Sequence, residues 1–384
     1  MNRVIIPILL FMLNAVAFAQ TSFSVDASTY YDDNLYRSPE AESDFLNQIG
    51  IKLNYSPEET NFSYFINGNY FSFAANNTRN FLLSTIGTNY DRSFGSEDQH
   101  EFFFGADWTW RMDQTEYDYY DYNQLYAFSG LKLNLNYFYL KTGYNFRYRK
   151  YSNLSELNNS RHYAFVQLNK SFATKTSLIL EGDLGYKSFA GQVLANSGSD
   201  DMWGHGRRGG MHAVYSESSI PSMSHAILLA RVAQSLHPRV GVYVQYRKQI
   251  SLTNETSYQN VESYFQDEEL FDDPFSYSSE TVSGQLTWIL PWQMKLQAGG
   301  GALAKEYISE QAFVSADDSL GSGGIRKDNR TFFYANLSKN FFIGKTWLKL
   351  LKLTFEYSFI DNRSNSYWYD YKNGVSGINL QWKF

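Results

Sequence analysis

The chain has 384 residues, of which 18% are aromatic and 19% charged, and its formal net charge is -6. With a mean hydropathy of -0.42, it is too polar for a bundle of transmembrane helices and too aromatic for a disordered chain. The near-balanced charge offers no basic surface, so we expect no nucleic-acid partner. The absence of cysteine excludes disulfides, cysteine-ligated metals and a thiol nucleophile.

The N-terminus has the pattern of a secretory signal peptide. Arg3 precedes an apolar run from Val4 to Leu13, and Ala17-Phe18-Ala19 stands before Gln20. A positive start, a short apolar stretch and small residues two apart are typical of a cleaved export signal. Ten apolar residues are too few for a helix to span a hydrocarbon core about 30 Å thick. We therefore predict a signal peptide at residues 1–19, cleaved after Ala19, and one mature domain at residues 20–384.

From Thr21 onwards, apolar and polar side chains alternate with a period of two. In the clearest run, Tyr137–Lys150, large apolar side chains fall at even positions and mostly polar ones at odd positions. This period belongs to strands, since a helix would scatter the same residues around its circumference. The sixteen predicted strands lie near residues 22–31, 44–56, 61–73, 80–94, 99–112, 122–135, 137–151, 160–172, 176–190, 223–237, 239–252, 275–290, 292–306, 328–342, 347–361 and 368–384.

The connections between these strands sort by parity. Those after even strands are short, as at Ala173-Thr174-Lys175, whereas those after odd strands are often long, as at Gly191–Ser222, Thr253–Pro274 and Tyr307–Lys327. Short turns at one end and long loops at the other are typical of membrane barrels. The sequence thus predicts an all-β fold, a transmembrane antiparallel up-and-down β-barrel of about 16 strands.

The last strand carries the residues that support a family resemblance. Ile378, Leu380, Trp382 and Phe384 alternate with polar residues up to the terminus. This segment resembles the signal that the barrel-assembly machinery recognises in bacterial outer-membrane proteins of the porin-like kind. Residues 362–384 are also similar to the ends of barrel domains in surface-lipoprotein assembly modifiers and exopolysaccharide-export barrels.

The resemblance implies a location and partners. It implies a Gram-negative outer membrane and contacts with outer-membrane lipid, lipopolysaccharide and the barrel-assembly machinery. Homo-oligomers, trimers among them, are common in proteins of this kind.

Charge predicts which face is the interior, because Arg or Lys at the lipid-facing midplane costs about 2–4 kcal/mol. Aromatic residues near strand ends should form interfacial girdles, namely Trp108, Trp110, Tyr148, Tyr246, Trp288, Trp292 and Trp382. The candidates for a charged, selective lumen are Arg111, Lys141, Arg147, Arg149, Arg247, Lys295, Glu101, Asp107, Glu181 and Asp183. The candidates for an inward-folded constriction loop, which is otherwise a surface loop, are Asp200, Asp201, His205, Arg207, Arg208 and His212.

Catalytic and cofactor signals are weak. There is no Gly-x-Ser-x-Gly elbow, and the six histidines are scattered. The acidic residues at 267–273 lack EF-hand spacing, and the glycines at 204–209 lack the strand and helix of a dinucleotide site. Gly299–Gly301 indicates a strand segment that bends or lacks side-chain bulk. We predict no enzyme activity, no metal and no cofactor.

Three functions remain open from the sequence. The first is a porin-like channel for small hydrophilic solutes or oligosaccharides, because sixteen strands leave room for an aqueous lumen. The second is a non-conducting surface or accessory barrel that binds a protein or polysaccharide partner, including a role in polysaccharide export, for which the loop segment Tyr117–Tyr122 is a candidate. The third is a barrel hydrolase, whose catalytic residues no sequence motif would reveal.

Overall fold

The computed structural model describes residues 20–155, 158–189, 192–193, 218–219, 222–253, 277–318, 321–345 and 348–384. In this part of the chain, sixteen strands form one closed barrel, and two short strands pair with each other. The strands are β1 (Thr21–Asp32), β2 (Asp44–Tyr55), β3 (Phe62–Phe73), β4 (Phe81–Phe94), β5 (His100–Asp113), β6 (Tyr122–Asn134), β7 (Tyr139–Tyr151), β8 (Asn159–Ser171), β9 (Thr176–Phe189), β10 (Gln192–Val193), β11 (Ser218–Ser219), β12 (Met223–His237), β13 (Val240–Ser251), β14 (Tyr277–Leu290), β15 (Met294–Gln311), β16 (Ile325–Lys345), β17 (Leu348–Ser364) and β18 (Tyr371–Lys383). β10 and β11 form the separate pair. Short 3-10 turns lie at Asn77–Arg79, Ser96–Asp98, Thr115–Tyr120 and Tyr367–Tyr369.

Every barrel strand is antiparallel to both neighbours, and β18 closes the cylinder against β1. The predicted fold class is therefore confirmed, and each predicted strand has a counterpart. Within the described residues, no helix is long and apolar enough to cross a membrane.

The connections sort by length as predicted. Turns of two to six residues join β2 to β3, β4 to β5 and their equivalents at one end, where β1 begins and β18 ends. At the other end the connections run from six residues, between β17 and β18, to the whole of 190–222. We call these two ends the turn end and the loop end.

The largest differences from prediction concern β15, β16 and β17. β15 runs to Gln311 instead of residue 306, and β16 starts at Ile325 instead of residue 328. β17 likewise continues to Ser364. The prediction of a loop over the whole of Tyr307–Lys327 is therefore wrong, since the connection between the two strands covers only residues 312–324. These strand ends continue beyond the regular apolar alternation that marks a membrane crossing, so a sequence pattern for a crossing could not locate them.

The two faces of the wall differ in chemistry. Apolar side chains on one parity are widely exposed, for example Leu184 at 60% and Val244 at 62%. On the other parity, the charged side chains of Arg147, Arg161 and Lys187 are at most 6% exposed. In a closed cylinder the exposed parity is the outside, so the apolar face is outside and the charged face inside. The backbone hydrogen bonds of such a wall are all made within the sheet, so its outer face can contact the hydrocarbon core of a membrane.

Side-chain hydrogen bonds reinforce the closure between β1 and β18 at the loop end. Asn373 Nδ2 donates to Asp32 Oδ1 at 2.6 Å and to the Asn34 carbonyl at 3.2 Å. Asn34 Nδ2 in turn donates to the carbonyl of Lys372 at 2.9 Å. Asp32, Asn34 and Asn373 are all buried. The first and last strands are thus joined by a buried polar network as well as by their backbone ladder.

Candidate functional site in the barrel lumen

The structure places all ten predicted lumenal residues on the inward-facing parity, at three levels. Those within four residues of the loop ends of their strands are Arg111, Arg147, Arg149 and Arg247; those near mid-strand are Asp107, Glu181 and Asp183; those towards the turn end are Glu101, Lys141 and Lys295. Their role in selectivity stays a prediction.

Three basic residues form a row near the loop end. Arg147 on β7 lies directly opposite Arg161 on β8, and Arg161 lies directly opposite Lys187 on β9. Like charges in cross-strand register repel one another, so the register places three mutually repelling cations side by side on this part of the wall. Arg161 and Lys187 were not among the predicted site residues, since their relation to Arg147 depends on the strand register.

Two other predicted arginines are held by neighbours. Arg149 donates from Nε and Nη2 to Gln124 Oε1 at 3.1 and 2.9 Å. Arg111 forms a bidentate pair with Asp113 at 2.7 and 2.8 Å, and its guanidinium lies 4.1 Å from the ring centroid of Phe81. Both side chains are fixed against the wall, and Arg111 has its charge compensated locally.

Aromatic rings cover inward-facing glycines in a repeated arrangement that sequence reasoning missed. In each case the ring and the glycine are direct cross-strand partners, and a Cβ on the glycine would lie 2.2–2.8 Å from a ring-side-chain atom. The pairs are Phe65 with Gly87, Phe128 with Gly105, Phe103 with Gly130, Phe165 with Gly143, Tyr334 with Gly299, Phe332 with Gly301, and Tyr30 with Gly377. The rings therefore lie against the wall. Gly299 and Gly301 leave the space that two of the rings occupy, in line with the predicted strand segment that lacks side-chain bulk.

Two of these pairs share one row. Phe103, Gly130, Gly143 and Phe165 are successive cross-strand partners on β5, β6, β7 and β8. The ammonium of Lys141 lies 5.8 Å from the Phe103 centroid and 5.4 Å from the Phe165 centroid. We call these five residues the aromatic shelf.

A buried ion-pair cluster anchors the β15–β16 hairpin at the loop end. Arg326 Nη1 lies 3.1 Å from Glu310 Oε1, and its Nη2 lies 2.6 Å from Asp328 Oδ2. Its guanidinium also stacks on Tyr307 and Tyr369, at 4.3 and 3.1 Å from their ring centroids. This cluster spans part of the segment 307–327 that the sequence assigned to a loop.

Tyrosines gather on the rim between β5 and β6. Tyr117, Tyr119 and Tyr120 stack on one another with centroids 4.3–6.3 Å apart. Arg79 lies over Tyr117 at 5.6 Å and over Tyr36 at 5.2 Å. Burial raises the pKa of the Tyr119 hydroxyl, so this hydroxyl stays protonated at physiological pH.

Most predicted girdle residues lie on the outer face, including Trp108, Tyr148, Tyr246 and Trp288, which are well exposed. Trp292 departs from its predicted strand, since it sits in the β14–β15 turn with a φ of 57°. The assembly-signal residues Ile378, Leu380, Trp382 and Phe384 share the outer parity of β18 and its C-terminal end, and the Phe384 ring lies 5.3 Å from that of Phe23.

Some predicted residues lie outside the described part of the chain. They are the signal peptide at 1–19, the acidic residues at 267–273, the glycines at 204–209, and the constriction-loop candidates Asp200, Asp201, His205, Arg207, Arg208 and His212. Among the residues that the structure does describe, no cluster of three or more His, Asp or Glu could hold a metal ion.

A closed sixteen-strand antiparallel barrel, apolar outside and charged inside, has the architecture of a bacterial outer-membrane β-barrel. No protein-family model matches the sequence, and no curated protein matches it significantly.

Solved structures with a similar fold include three bacterial outer-membrane proteins. A loop L8 deletion mutant of the Vibrio cholerae outer membrane protein OmpT is 12% identical, with a TM-score of 0.44 over 95% of this chain and 99% of that one. The Pseudomonas aeruginosa outer membrane protein OpdK is 8% identical, with a TM-score of 0.45 over 95% and 99%. OccD3 of the same organism is 9% identical, with a TM-score of 0.49 over 95% and 91%.

Proposed function

We propose that this protein is a porin-like channel of the bacterial outer membrane that passes small hydrophilic solutes or oligosaccharides and catalyses no reaction. The observation that carries the proposal is the charged and polar inner face of a closed sixteen-strand barrel. Barrels of this strand number are wide enough for an aqueous channel. Fixed charges along such a channel select solutes by sign.

The lumenal charge is unevenly distributed, and this sets the expected preference. The inward face of β6–β9 carries six basic side chains and two acidic ones, namely Lys132, Lys141, Arg147, Arg149, Arg161 and Lys187 against Glu181 and Asp183. Low-dielectric walls focus the field of such charges and raise the local concentration of counter-ions. We infer that anionic solutes are favoured over cationic ones at low ionic strength.

Planar-bilayer recording of the refolded full chain tests the channel. We expect stepwise ion conductance, and a reversal potential in a KCl gradient that indicates chloride preference. Replacing Arg147, Arg161 and Lys187 together by Gln should move that potential towards zero, with a smaller effect at high salt because the charges are screened. Lys150→Gln, on the exposed outer parity of β7, is the matched control. Folded protein that conducts no ions under any condition contradicts the proposal.

A second candidate is a non-conducting surface barrel that binds a protein or polysaccharide partner. The stacked rim tyrosines around Arg79 favour it, since clustered aromatic side chains at an exposed rim are common in binding surfaces. If the folded protein does not conduct but retains an extracellular glycan or protein that is lost in Tyr117→Ala, this second function replaces the first.

The proposed location requires export and assembly. We infer cleavage after Ala19 and recognition of Ile378, Leu380, Trp382 and Phe384 by the barrel-assembly machinery, followed by contact with lipid and lipopolysaccharide and, where it forms, a homo-oligomer. Edman sequencing of protein from the outer-membrane fraction tests the cleavage, which predicts a mature chain that starts at Gln20.

A further inference from the structure

The aromatic shelf offers two phenyl rings to the lumen at one level. Phe103 and Phe165 are each held against a glycine of the adjacent strand, where a Cβ would come within 2.4 Å of the first ring and 2.8 Å of the second. One side of each ring therefore covers the wall, and both rings are only half-buried, so part of each is accessible from the lumen. Both rings lie within 6 Å of the Lys141 ammonium, so one short oligosaccharide can contact both.

The chemistry of such a surface suits sugar rings. The face of a phenyl ring carries negative quadrupole density, and the axial C–H groups on one side of a pyranose carry partial positive charge. The two surfaces are flat, so they stack without requiring the sugar to give up its hydroxyl hydrogen bonds to water. A small inorganic anion has no apolar face to stack on these rings, and their negative faces repel it.

Of the two lysines beside the shelf, only Lys141 can add a preference for negative charge, because Lys132 is already paired with a carboxylate. Lys132 Nζ is paired with Glu101 Oε1 at 2.5 Å and lies 5.2 Å from the Phe103 centroid. Among the described residues, no carboxylate forms an ion pair with Lys141, whose nearest recorded partners are the two phenyl rings. An ammonium beside two half-buried rings is placed to receive the carboxylate of a sugar stacked there.

We propose that the aromatic shelf is a binding site for acidic saccharides, in which Phe103 and Phe165 stack on the sugar rings and Lys141 binds a carboxylate. The proposal rests on the proposed function only in that the lumen must admit solutes. It names a substrate class for the channel, and it places the contact on the turn-end half of the wall formed by β5–β8.

Isothermal titration calorimetry on the full chain, folded in detergent, tests the site without requiring conductance. The probes are oligogalacturonate, a maltooligosaccharide of the same length, and glutarate, which carries the charge without a sugar ring. We expect oligogalacturonate to bind most tightly. Replacing Phe103 and Phe165 together by Ala should weaken both saccharides by about tenfold, the loss of one to two stacking contacts.

Two further variants distinguish the contribution of ring stacking to saccharide binding from those of the Lys141 charge and of the lumen width. Lys141→Gln should weaken oligogalacturonate alone and reduce the salt dependence of its binding. Phe332→Ala, whose ring covers Gly301 on another part of the wall, should change neither saccharide. Heat modifiability on gels confirms that each variant is folded, and Lys141→Gln tests the site even if the double variant does not fold.

Several outcomes overturn the site. Glutarate bound as tightly as oligogalacturonate means a general anion surface, and equal effects of Phe332→Ala and the double variant mean a change of lumen width. An absence of saccharide binding in protein that conducts ions refutes the shelf and leaves the channel intact. Saccharide binding without conductance supports the shelf and refutes the channel.

Discussion

Single inward glycines determine how flat the lumenal wall is. At Gly130 an added Cβ would lie 2.4 Å from Phe103 Cζ and 2.7 Å from the Thr142 carbonyl oxygen. The ring can rotate away, but the backbone oxygen cannot. We expect Gly130→Ala to lower the free energy of unfolding by about 1–3 kcal/mol through overpacking, as measured by tryptophan fluorescence in denaturant. Gly68→Ala is the control, since its nearest contact would be Ser84 Oγ at 3.9 Å, and an equal loss there would show that overpacking at Gly130 is not responsible.

The buried charge of Arg326 stabilises the two carboxylates next to it. Arg326→Ala would leave Glu310 and Asp328 as buried carboxylates without their cation, which typically costs about 3–5 kcal/mol. We expect faster proteolysis at the tip of the β15–β16 hairpin and a matching loss of stability. Lys327→Ala removes the adjacent pair with Glu306, whose side chains are 58% and 62% exposed, and should cost at most about 1 kcal/mol. Similar effects of the two variants would contradict this reading of the cluster.

The sequence predicted which residues face inward, but not which of them contact one another. The face to which a side chain points repeats every two residues along a strand, so alternation alone placed Arg147 and Lys141 inside. Which side chains contact each other across strands depends on the register between the strands, and turn geometry and packing determine that register. For that reason the row with Arg161 and Lys187, and the rings over Gly130 and Gly143, emerged only from the structure.

The closure between β1 and β18 joins elements that are far apart in the chain. Asn373→Ala would remove the amide that donates to Asp32 Oδ1 and to the Asn34 carbonyl, leaving a buried carboxylate less satisfied. We expect a loss of about 1–3 kcal/mol and a lower temperature for loss of the heat-modifiable band on gels.

Gln381→Ala, at the opposite end of the same closure, is the control for Asn373→Ala. Gln381 makes one recorded side-chain bond, to Asp26 at 2.7 Å, in a partly buried setting. Its removal should cost less than the removal of Asn373. A larger loss for Gln381→Ala would mean that the loop-end network does not hold the seam.

Strand boundaries were predictable only where a strand crosses the membrane. β7 and β9 begin and end within two residues of the predicted bounds, because their alternation persists over the whole element. β16 exceeds its predicted length at both ends. At its N-terminal end the ladder continues beyond the regular apolar alternation, and it is supported by contacts such as that of Arg326 with Glu310.

One face of the barrel wall contacts hydrocarbon, and the other contacts water. Val166 and Gln167 are neighbours in the middle of β8, and they point to opposite faces. Val166 is 50% exposed on the outer parity, whereas Gln167 hydrogen-bonds Glu181 inside. The pair therefore allows the same substitution to be made on both faces at one depth.

In lipid vesicles, Val166→Lys should lower the free energy of unfolding by about 2–4 kcal/mol, because it places an ammonium at the lipid-facing midplane. Gln167→Lys should cost far less, since its ammonium lies in the lumen beside Glu181. In detergent-free aqueous buffer the first variant should lose its penalty if the chain stays folded there, because the outer face would meet water. If the two variants lose the same free energy of unfolding in vesicles, or Gln167→Lys loses more, the assignment of Val166 to lipid and Gln167 to water is wrong. The proposed channel, which requires a water-filled lumen, would then be contradicted.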